Sequence, residues 1–181
     1  MGRLTQNKFL SESEDAHLDR LIKEYVNQDT LILKMLRLYG MRGGELLQVR
    51  AMDINEGART ITVHGTKGSN DRTLPLPMDL LEVLVPMAKA CLEPTENIFK
   101  TTRRRLFDIW YLYRPCMKPL HSLRHTCGIN LYKRTRDIHM VNYVLGHANI
   151  NNTMIYLQFV ASQADLSQAL LGNSPDNESA P

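Results

Sequence analysis

Apolar side chains recur every three or four residues along most of the chain, which is the spacing of one face of an α-helix. The first amphipathic segment begins at Ala16, and the second ends at Gly40. Pro86 should kink or divide the segment that contains it. The pattern predicts helices at 16–25, 31–39, 43–47, 78–91, 103–111, 138–145 and 161–171.

A different pattern covers residues 49–77, where short β-branched runs alternate with turn residues. Thr60–His64 is the clearest of these runs, and Asn55-Glu56-Gly57 precedes it as a turn. The predicted strands are Val49–Ile54, Thr60–His64 and Arg72–Leu76. The fold class is therefore α+β, mainly helical, with a small three-stranded antiparallel sheet on one side.

Length and composition place these elements in one domain. The chain has 181 residues, of which 43% are apolar and 23% charged, as in an ordinary globular protein with a real core. A net charge of +3 permits nucleic-acid binding but does not argue for it alone. We expect a flexible lead-in at 1–16, a folded domain at 17–172 and a disordered tail at 173–181.

The cysteines and the apolar runs indicate the cellular compartment of the protein. Cys91, Cys116 and Cys127 have no close spacing, which fits a reducing compartment and offers no Cys-x-x-Cys metal motif. No apolar run reaches the ~18 residues that a membrane span needs, and no signal peptide opens the chain. These features predict a cytoplasmic protein with no metal and no membrane partner.

The stretch from His121 to Tyr156 carries the candidate chemistry. Ser122 can cap a helix after Pro119, which would put His121 near a helix N-terminus. Arg124 lies three residues further on and would share the same helix face. Free N–H groups and the helix dipole favour an anion there, so the sequence predicts an anion-binding site.

His147 and Tyr156 are nine residues apart, which would put them on opposite faces of one continuous helix. Gly146 and the asparagines that follow His147 break the helix, and Asn152 or Thr153 can cap a new one. Both side chains can then face the same anion. A tyrosine beside a phosphate held by Arg and His, without a carboxylate cluster for a metal, predicts nucleophilic attack on phosphorus.

The motifs HSLRHT and LGHANINNTMIY closely resemble the signature of the tyrosine recombinases, the phage-integrase type of site-specific recombinase. That family has two further catalytic positions upstream, an arginine at a helix start and a lysine in a β-hairpin. YGMRGGELL supplies the arginine, and TITVHGTKGSNDRTLPL supplies the lysine. The resemblance covers residues 40–156 and implies six catalytic residues: Arg42, Lys67, His121, Arg124, His147 and Tyr156.

The resemblance also implies the reaction of a catalytic domain over 17–172. The tyrosine would form a 3′-phosphotyrosine ester with one DNA strand and release a 5′ hydroxyl, without a metal, cofactor or ATP. Arg42, Arg124 and His147 would stabilise charge on the non-bridging phosphate oxygens. Lys67 would protonate the leaving oxygen, and His121 would assist proton transfer.

Further residues are expected to support the site or the DNA. Glu45 can hydrogen-bond and orient Arg42, and His125 follows Arg124 as packing or support for the site. Basic residues that could contact backbone phosphates are Arg103, Arg104, Arg105, Lys133, Arg134 and Arg136. A solvated helix face explains the triple arginine equally well.

The implied partner is double-stranded DNA, on which the family assembles as a homo-tetramer. We expect an N-terminal core-binding domain to be missing from this chain and the free chain to be mainly monomeric. Three alternatives stay open: a type IB topoisomerase with the same chemistry, a histidine phosphatase, and a DNA-binding module without activity. Thr126 breaks the phosphatase motif that Arg124-His125 would begin. The DNA target, the direction of the reaction and cis or trans cleavage by Tyr156 are not encoded in any motif.

Overall fold

A computed structural model describes residues 6–66 and 68–157 of the chain. Its helices are α1 (Glu12–Glu24), α2 (Gln28–Tyr39), α3 (Gly43–Leu46), α4 (Met78–Lys89), α5 (Arg103–Tyr113), α6 (Ser122–Thr135), α7 (Ile138–Leu145) and α8 (Asn151–Met154). Its strands are β1 (Ile54–Asn55), β2 (Thr60–Val63) and β3 (Arg72–Pro75). The predicted fold class, mainly helical α+β with a small antiparallel sheet, is confirmed.

The sheet is antiparallel and has the order β1-β2-β3, with Ile61 of β2 paired with Leu74 of β3 and both buried. The predicted first strand at 49–54 was wrong for most of its length, because β1 has only two residues. A 3-10 turn precedes it, in which the Asp53 carboxylate accepts hydrogen bonds from the backbone N–H and the guanidinium of Arg50. This local hydrogen bonding competes with strand formation.

Helix α1 begins at Glu12 rather than at Ala16, inside the stretch expected to be a lead-in. The Ser11 hydroxyl accepts from the Glu14 backbone N–H at 3.2 Å, and the Glu14 carboxylate accepts from the Ser11 N–H at 2.7 Å. This reciprocal pair is a capping box. Hydrophobic periodicity missed the start because the first turn of the helix is polar.

The sequence predicted that Pro86 kinks or divides its helix. Helix α4 contains Pro86 and continues to Lys89, so the helix is not divided. Proline removes the hydrogen bond that would reach the carbonyl of Glu82, four residues earlier. Both residues are exposed, and that carbonyl can therefore be solvated by water. The apolar face of α4 stays on the core.

The main core is built around α2, which packs against α1, α3 and α6. A second, smaller core lies beneath α6 and α7 and includes Tyr156. The buried side chains of α2 include Ile32, Leu33, Met35 and Leu36. Since α2 leads directly into α3, its rigid packing fixes the start of the segment that carries Arg42.

The connection between β2 and β3 is hydrogen-bonded to the turn that follows α7. Asn70 N–H donates to Gly146 O at 2.8 Å, and Ala148 N–H donates to Gly68 O at 3.3 Å. Gly146 has φ +68°, and a Cβ there would lie 2.6 Å from an Arg72 guanidinium nitrogen. Only glycine fits this position. We call this set of contacts the hairpin–turn junction.

Several expectations fall on residues outside the described ranges. They are Lys67, the predicted helix at 161–171 and the predicted tail at 173–181. Within the ranges 6–66 and 68–157, the helices are too short or too polar to cross a membrane.

Candidate active site

Three arginines from different elements converge on one buried carboxylate, that of Glu45. Guanidinium nitrogens of Arg72, Arg42 and Arg124 lie 2.8, 3.3 and 3.9 Å from its oxygens. Burial opposes ionisation of Glu45, but the hydrogen bond and charge of Arg72 outweigh it and lower the pKa of this carboxyl. Three positive charges thus face one negative charge, which favours the binding of an anion. We call these four residues the arginine cluster.

Arg42 is the member of the cluster that reaches solvent. It is the N-cap residue of α3, and its backbone N–H donates to the Glu45 carboxylate at 2.9 Å. Its side chain remains 29% exposed, whereas that of Glu45 is fully buried. The carboxylate therefore holds both the backbone and the guanidinium of Arg42 while leaving the latter accessible to a ligand.

Arg72 was missed as a site residue by the sequence reasoning, which assigned it only to a strand. Its side chain is completely buried, with Nε donating to Val144 O at 2.7 Å and a terminal nitrogen bonded to Glu45. The signal that could have revealed Arg72 in the sequence was its position in the alternating pattern of the strand. Arg72, Leu74 and Leu76 alternate toward the core, so an arginine occupies an inward-facing position of the strand. A buried charge there requires a partner.

Arg124 joins the C-terminal ends of two helices. Its guanidinium donates to Gly40 O, at the end of α2, and to Leu145 O, at the end of α7, both at 2.6 Å. Helix C-termini carry partial negative charge, which favours a cation. Burial and the charge of Arg42 lower the pKa of Arg124 to about 10, so it is still charged at neutral pH. Its side chain is held rigidly.

His147 follows the hairpin–turn junction and is buried. Its Nδ1 lies 2.8 Å from the Thr153 hydroxyl, which in turn donates to Asn142 Oδ1 at 2.7 Å. Burial, reinforced by the charges of Arg124 and Arg42, lowers the pKa of His147 to about 3. The imidazole is therefore neutral in the free protein. We call His147, Thr153 and Asn142 the His147 network.

Tyr156 packs in the second core with 1% of its surface exposed. Its hydroxyl lies 3.2 Å from Nδ1 of His125, and its ring covers Gly128 of α6 so closely that a Cβ there would be 2.8 Å from two ring carbons. Burial raises the pKa of Tyr156, and the positive charge of Arg124 opposes that rise. Burial and then the charge of His121 lower the pKa of His125 to about 4. A neutral histidine thus contacts a neutral phenol.

His121 and Arg42 line one open cleft of about 800 Å³. Arg103 and Phe107 of α5 line the same cleft, next to residues 65 and 66 of the β2–β3 connection. Loss of solvent around the ring, with the charges of Arg124 and Arg42, lowers the pKa of His121. The His121 ring also meets the His125 ring edge-on, with centroids 4.8 Å apart.

The start of α6 differs from the prediction. His121 occupies the N-cap position, and Ser122 is the first helical residue, buried, with a hydroxyl that has no hydrogen-bond partner among residues 6–66 and 68–157. The proposed cap was wrong because the chain turns one residue earlier: Ser122 N–H donates to Pro119 O. This shift leaves His121 at the rim of the cleft.

The structure brings Arg42, His121, Arg124, His147 and Tyr156 within electrostatic range of one another, and Glu45 and His125 contact members of this set. Their roles in a reaction stay predictions. Lys67 lies outside the described residues. Of the six basic residues that were predicted to contact DNA, only Arg103 lines the cleft with Arg42.

The other five predicted DNA contacts are exposed and lie elsewhere. Arg104 follows Arg103 on α5, and Arg105 pairs with Asp29 at 2.6 Å. Lys133 pairs with Glu12 at 2.8 Å, at the far end of α6 from the site. Arg134 precedes the end of α6, and Arg136 caps it with φ 54°.

Within the two described ranges, no group of three or more His, Cys, Asp or Glu side chains is placed to hold a metal ion. The positive charges at the site belong to side chains. Such an arrangement can bind a phosphate, stabilise the charge that develops on its oxygens, and supply a phenol as nucleophile.

Comparison with known proteins identifies relatives of this chain. The chain matches the sequence model of the phage integrase family over residues 9–110 and 113–162. Tyrosine recombinase XerA of Pyrococcus furiosus is 28% identical over 187 residues, covering 93% of this chain and 65% of XerA. Tyrosine recombinase XerH of Helicobacter pylori is 26% identical over 170 residues, covering 84% of this chain and 46% of XerH. The chain spans 65% or less of the length of these two relatives.

Solved structures share the fold. A post-cleavage complex of XerH with its palindromic difH substrate superposes with a TM-score of 0.68 at 21% identity, covering 93% of this chain and 54% of XerH. The XerA recombinase gives 0.67 at 22% identity, covering 97% of this chain and 67% of XerA. The catalytic domain of bacteriophage HP1 integrase gives 0.64 at 22% identity, covering 95% of this chain and 98% of that domain.

Proposed function

Because the chain belongs to the phage integrase family and has the fold of a tyrosine recombinase catalytic domain, we propose that it cleaves and rejoins DNA at specific sites through a 3′-phosphotyrosine intermediate. The observation that carries this proposal is the arginine cluster. It places an excess of positive charge beside a cleft, with three histidines and a buried tyrosine next to it.

In the proposed reaction the Tyr156 oxygen attacks the phosphorus of one DNA strand. The bond from phosphorus to the 5′ oxygen breaks, and a bond from phosphorus to the tyrosine oxygen forms. Arg42 and Arg124 stabilise the charge on the non-bridging oxygens, and Arg124 is suited to this because its geometry is fixed before the substrate arrives. Attack by a 5′ hydroxyl on the phosphotyrosine reverses the step, so neither strand loses a nucleotide.

Proton movements accompany both steps. The phenol must lose its proton as the new bond forms, and burial makes that loss costly in the free protein. The surroundings of Tyr156 must therefore change when DNA binds, so that the phenol can lose its proton and its oxygen can reach the phosphate. Lys67 is proposed to give a proton to the leaving 5′ oxygen, and His121, at the rim of the cleft, to assist proton transfer.

The proposed partner is double-stranded DNA. Since the chain spans 65% of the length of the XerA relative, we propose that a further N-terminal DNA-binding domain acts with it and that the active form is a tetramer on DNA. Integration, excision and resolution all use the same strand chemistry, and the proposal does not choose among them.

The test is covalent trapping on nicked suicide duplexes. A pool of labelled duplexes of random sequence is incubated with the protein, and denaturing gels are read for a protein–DNA adduct. Tyr156→Phe should abolish the adduct, because only the nucleophilic oxygen is removed. Tyr143→Phe is the matched control, since Tyr143 is exposed and its hydroxyl bonds the backbone of Thr73. An adduct that persists in Tyr156→Phe would point to another nucleophile.

The role of Lys67 has a separate test. Lys67→Ala should cleave ordinary DNA poorly but recover on a 5′-bridging phosphorothiolate, because sulfur leaves without needing a proton. Equal impairment on both substrates would make Lys67 a phosphate-positioning residue instead.

A further inference from the structure

The hydrogen bonds of the His147 network have only one consistent direction. The backbone carbonyl of His147 is an acceptor, and the Asn142 side chain lies 3.1 Å from it. Asn142 must therefore present its amide NH₂ to that carbonyl, because a carbonyl facing a carbonyl would repel it. The amide oxygen of Asn142 is then turned toward Thr153, where the distance to the hydroxyl is 2.7 Å.

The orientation of Asn142 also determines which atom donates in the hydrogen bond between Thr153 and His147. The Thr153 hydroxyl has one proton and must donate it to Asn142 Oδ1, which can only accept. Toward His147 the hydroxyl oxygen can then act only as an acceptor, over 2.8 Å. Nδ1 of His147 must carry a proton to complete that bond. In a neutral imidazole the other nitrogen, Nε2, then has a lone pair and no proton.

The groups of the His147 network have little access to other hydrogen-bond partners. Thr153 is fully buried and His147 is 6% exposed, so exchange of partners with water is restricted. The charged groups that act most strongly on His147 are Arg124, Arg42 and Arg72, with His125 nearby. Glu45, the anion of the arginine cluster, is bonded to Arg42 and Arg72 and leaves a net positive charge around the ring. These positive neighbours oppose a second proton on the ring.

We infer that Asn142 and Thr153 are positioning residues that fix His147 in the Nδ1–H tautomer, so that Nε2 enters the reaction as a proton acceptor. The inference rests on the proposed function for its chemistry but not for its geometry. His147 can donate a hydrogen bond from Nε2 to a phosphate oxygen only after Nε2 has taken up a proton from solvent. An arriving phosphate supplies negative charge that offsets the three arginines and favours that uptake.

The tautomer is measured directly by ¹⁵N NMR of the free chain labelled at histidine, near neutral pH. The chain has six histidines, and His147→Gln identifies the signal of His147 by its loss. We expect the nitrogen pattern of a neutral ring protonated at Nδ1. A pattern with the proton on Nε2 in the wild-type protein would overturn the inference.

Two threonine variants test the cause. Thr153→Val keeps the shape of the side chain and removes the hydroxyl, and it should move the proton of His147 to Nε2. Thr153→Ser keeps the hydroxyl and should retain the Nδ1–H form. An unchanged tautomer in a folded Thr153→Val protein would show that the network does not set it.

The catalytic consequence is read from the rate of covalent adduct formation. Partners that orient a metal-binding histidine through its second nitrogen are worth about 10–100-fold in activity. We expect a loss of the same order in Thr153→Val, with recovery in Thr153→Ser. A changed tautomer with an unchanged rate would overturn the positioning role. If the wild-type chain forms no adduct on any duplex, the proposed function fails, while the NMR result still decides the tautomer.

Discussion

Replacing Glu45 by glutamine tests whether the arginine cluster depends on one negative charge. The substitution keeps the size and shape of the side chain and removes its charge. Arg72, whose side chain is fully buried, would be left facing a neutral amide. Asp79→Asn is the matched control, because Asp79 and Lys34 also form a short ion pair, at 2.6 Å, but their side chains are 64% and 31% exposed.

The expected magnitudes differ because the surroundings differ. Removing one partner of a buried ion pair costs about 3–5 kcal/mol, since it leaves a desolvated charge without compensation. The glutamine oxygen can still accept one hydrogen bond from Arg72, so we expect Glu45→Gln to lower the free energy of unfolding by about 3 kcal/mol. An exposed ion pair is worth about 0–1 kcal/mol, so Asp79→Asn should lower the free energy of unfolding by no more than about 1 kcal/mol.

The pH dependence supplies a second signature. The pKa of Glu45 is lower in the folded chain than its ordinary value of 4.5. A depressed carboxyl pKa contributes stability that is fully present above the unfolded pKa and is lost as pH falls through the folded one. The stability difference between wild type and Glu45→Gln should therefore be constant near neutral pH and shrink as pH falls below 4.5.

Urea unfolding followed by fluorescence of the single tryptophan, Trp110, measures these differences, because its indole is 1% exposed in the folded chain. Thermal unfolding gives a second estimate, at about 2–4 °C per kcal/mol for a chain of this size. If Glu45→Gln cost no more than Asp79→Asn, or if its effect did not change with acid, the carboxylate would not be the centre of the cluster.

Three further outcomes follow. Gly128→Ala should destabilise the fold by about 1–2 kcal/mol and displace the Tyr156 ring, because a Cβ there meets ring carbons at 2.8 Å, whereas Gly44→Ala, with open space around it, should stabilise by about 0.5–1 kcal/mol. Urea titrations compare the two, and equal effects would contradict the close packing. Arg103→Ala should weaken duplex binding and reduce its salt slope by about one, while Lys133→Ala should change both less, as titrations at two salt concentrations would show. Adduct formation should survive EDTA; its loss, with rescue by Mg²⁺, would contradict a mechanism based on side-chain cations.

The sequence predicted those parts of the site that lie in local motifs. Arg124 and the nucleophile candidate Tyr156 stand at fixed distances from helix starts and breaks, so their elements could be placed from spacing. Arg42 was named only because its motif resembles that of the tyrosine recombinases. Arg72 could not be recognised in this way. An arginine in a strand is ordinary in sequence, and only the register of the strand and the position of Glu45 reveal that its charge is buried and paired.

The errors in predicting the fold also have local causes. The first strand was overextended because Asp53 diverts the backbone through hydrogen bonds that hydrophobic pattern does not report. The cap of α6 was misplaced by one residue because the backbone hydrogen bond from Ser122 N–H to Pro119 O starts the turn earlier than the sequence pattern indicates. The role of Asn142 and Thr153 needed the three-dimensional direction of two hydrogen bonds, which no one-dimensional pattern contains.

The hairpin–turn junction restricts how the length of this chain can change. Residues near 70 and near 146 serve as each other's backbone partners, although they are far apart in sequence. Surface loops usually accept insertions because their backbone groups are bonded to water. Here an inserted residue on either side would shift donors away from their acceptors, and it would separate the lysine-bearing connection from the turn that presents His147. Loop grafts and domain insertions should therefore avoid both segments.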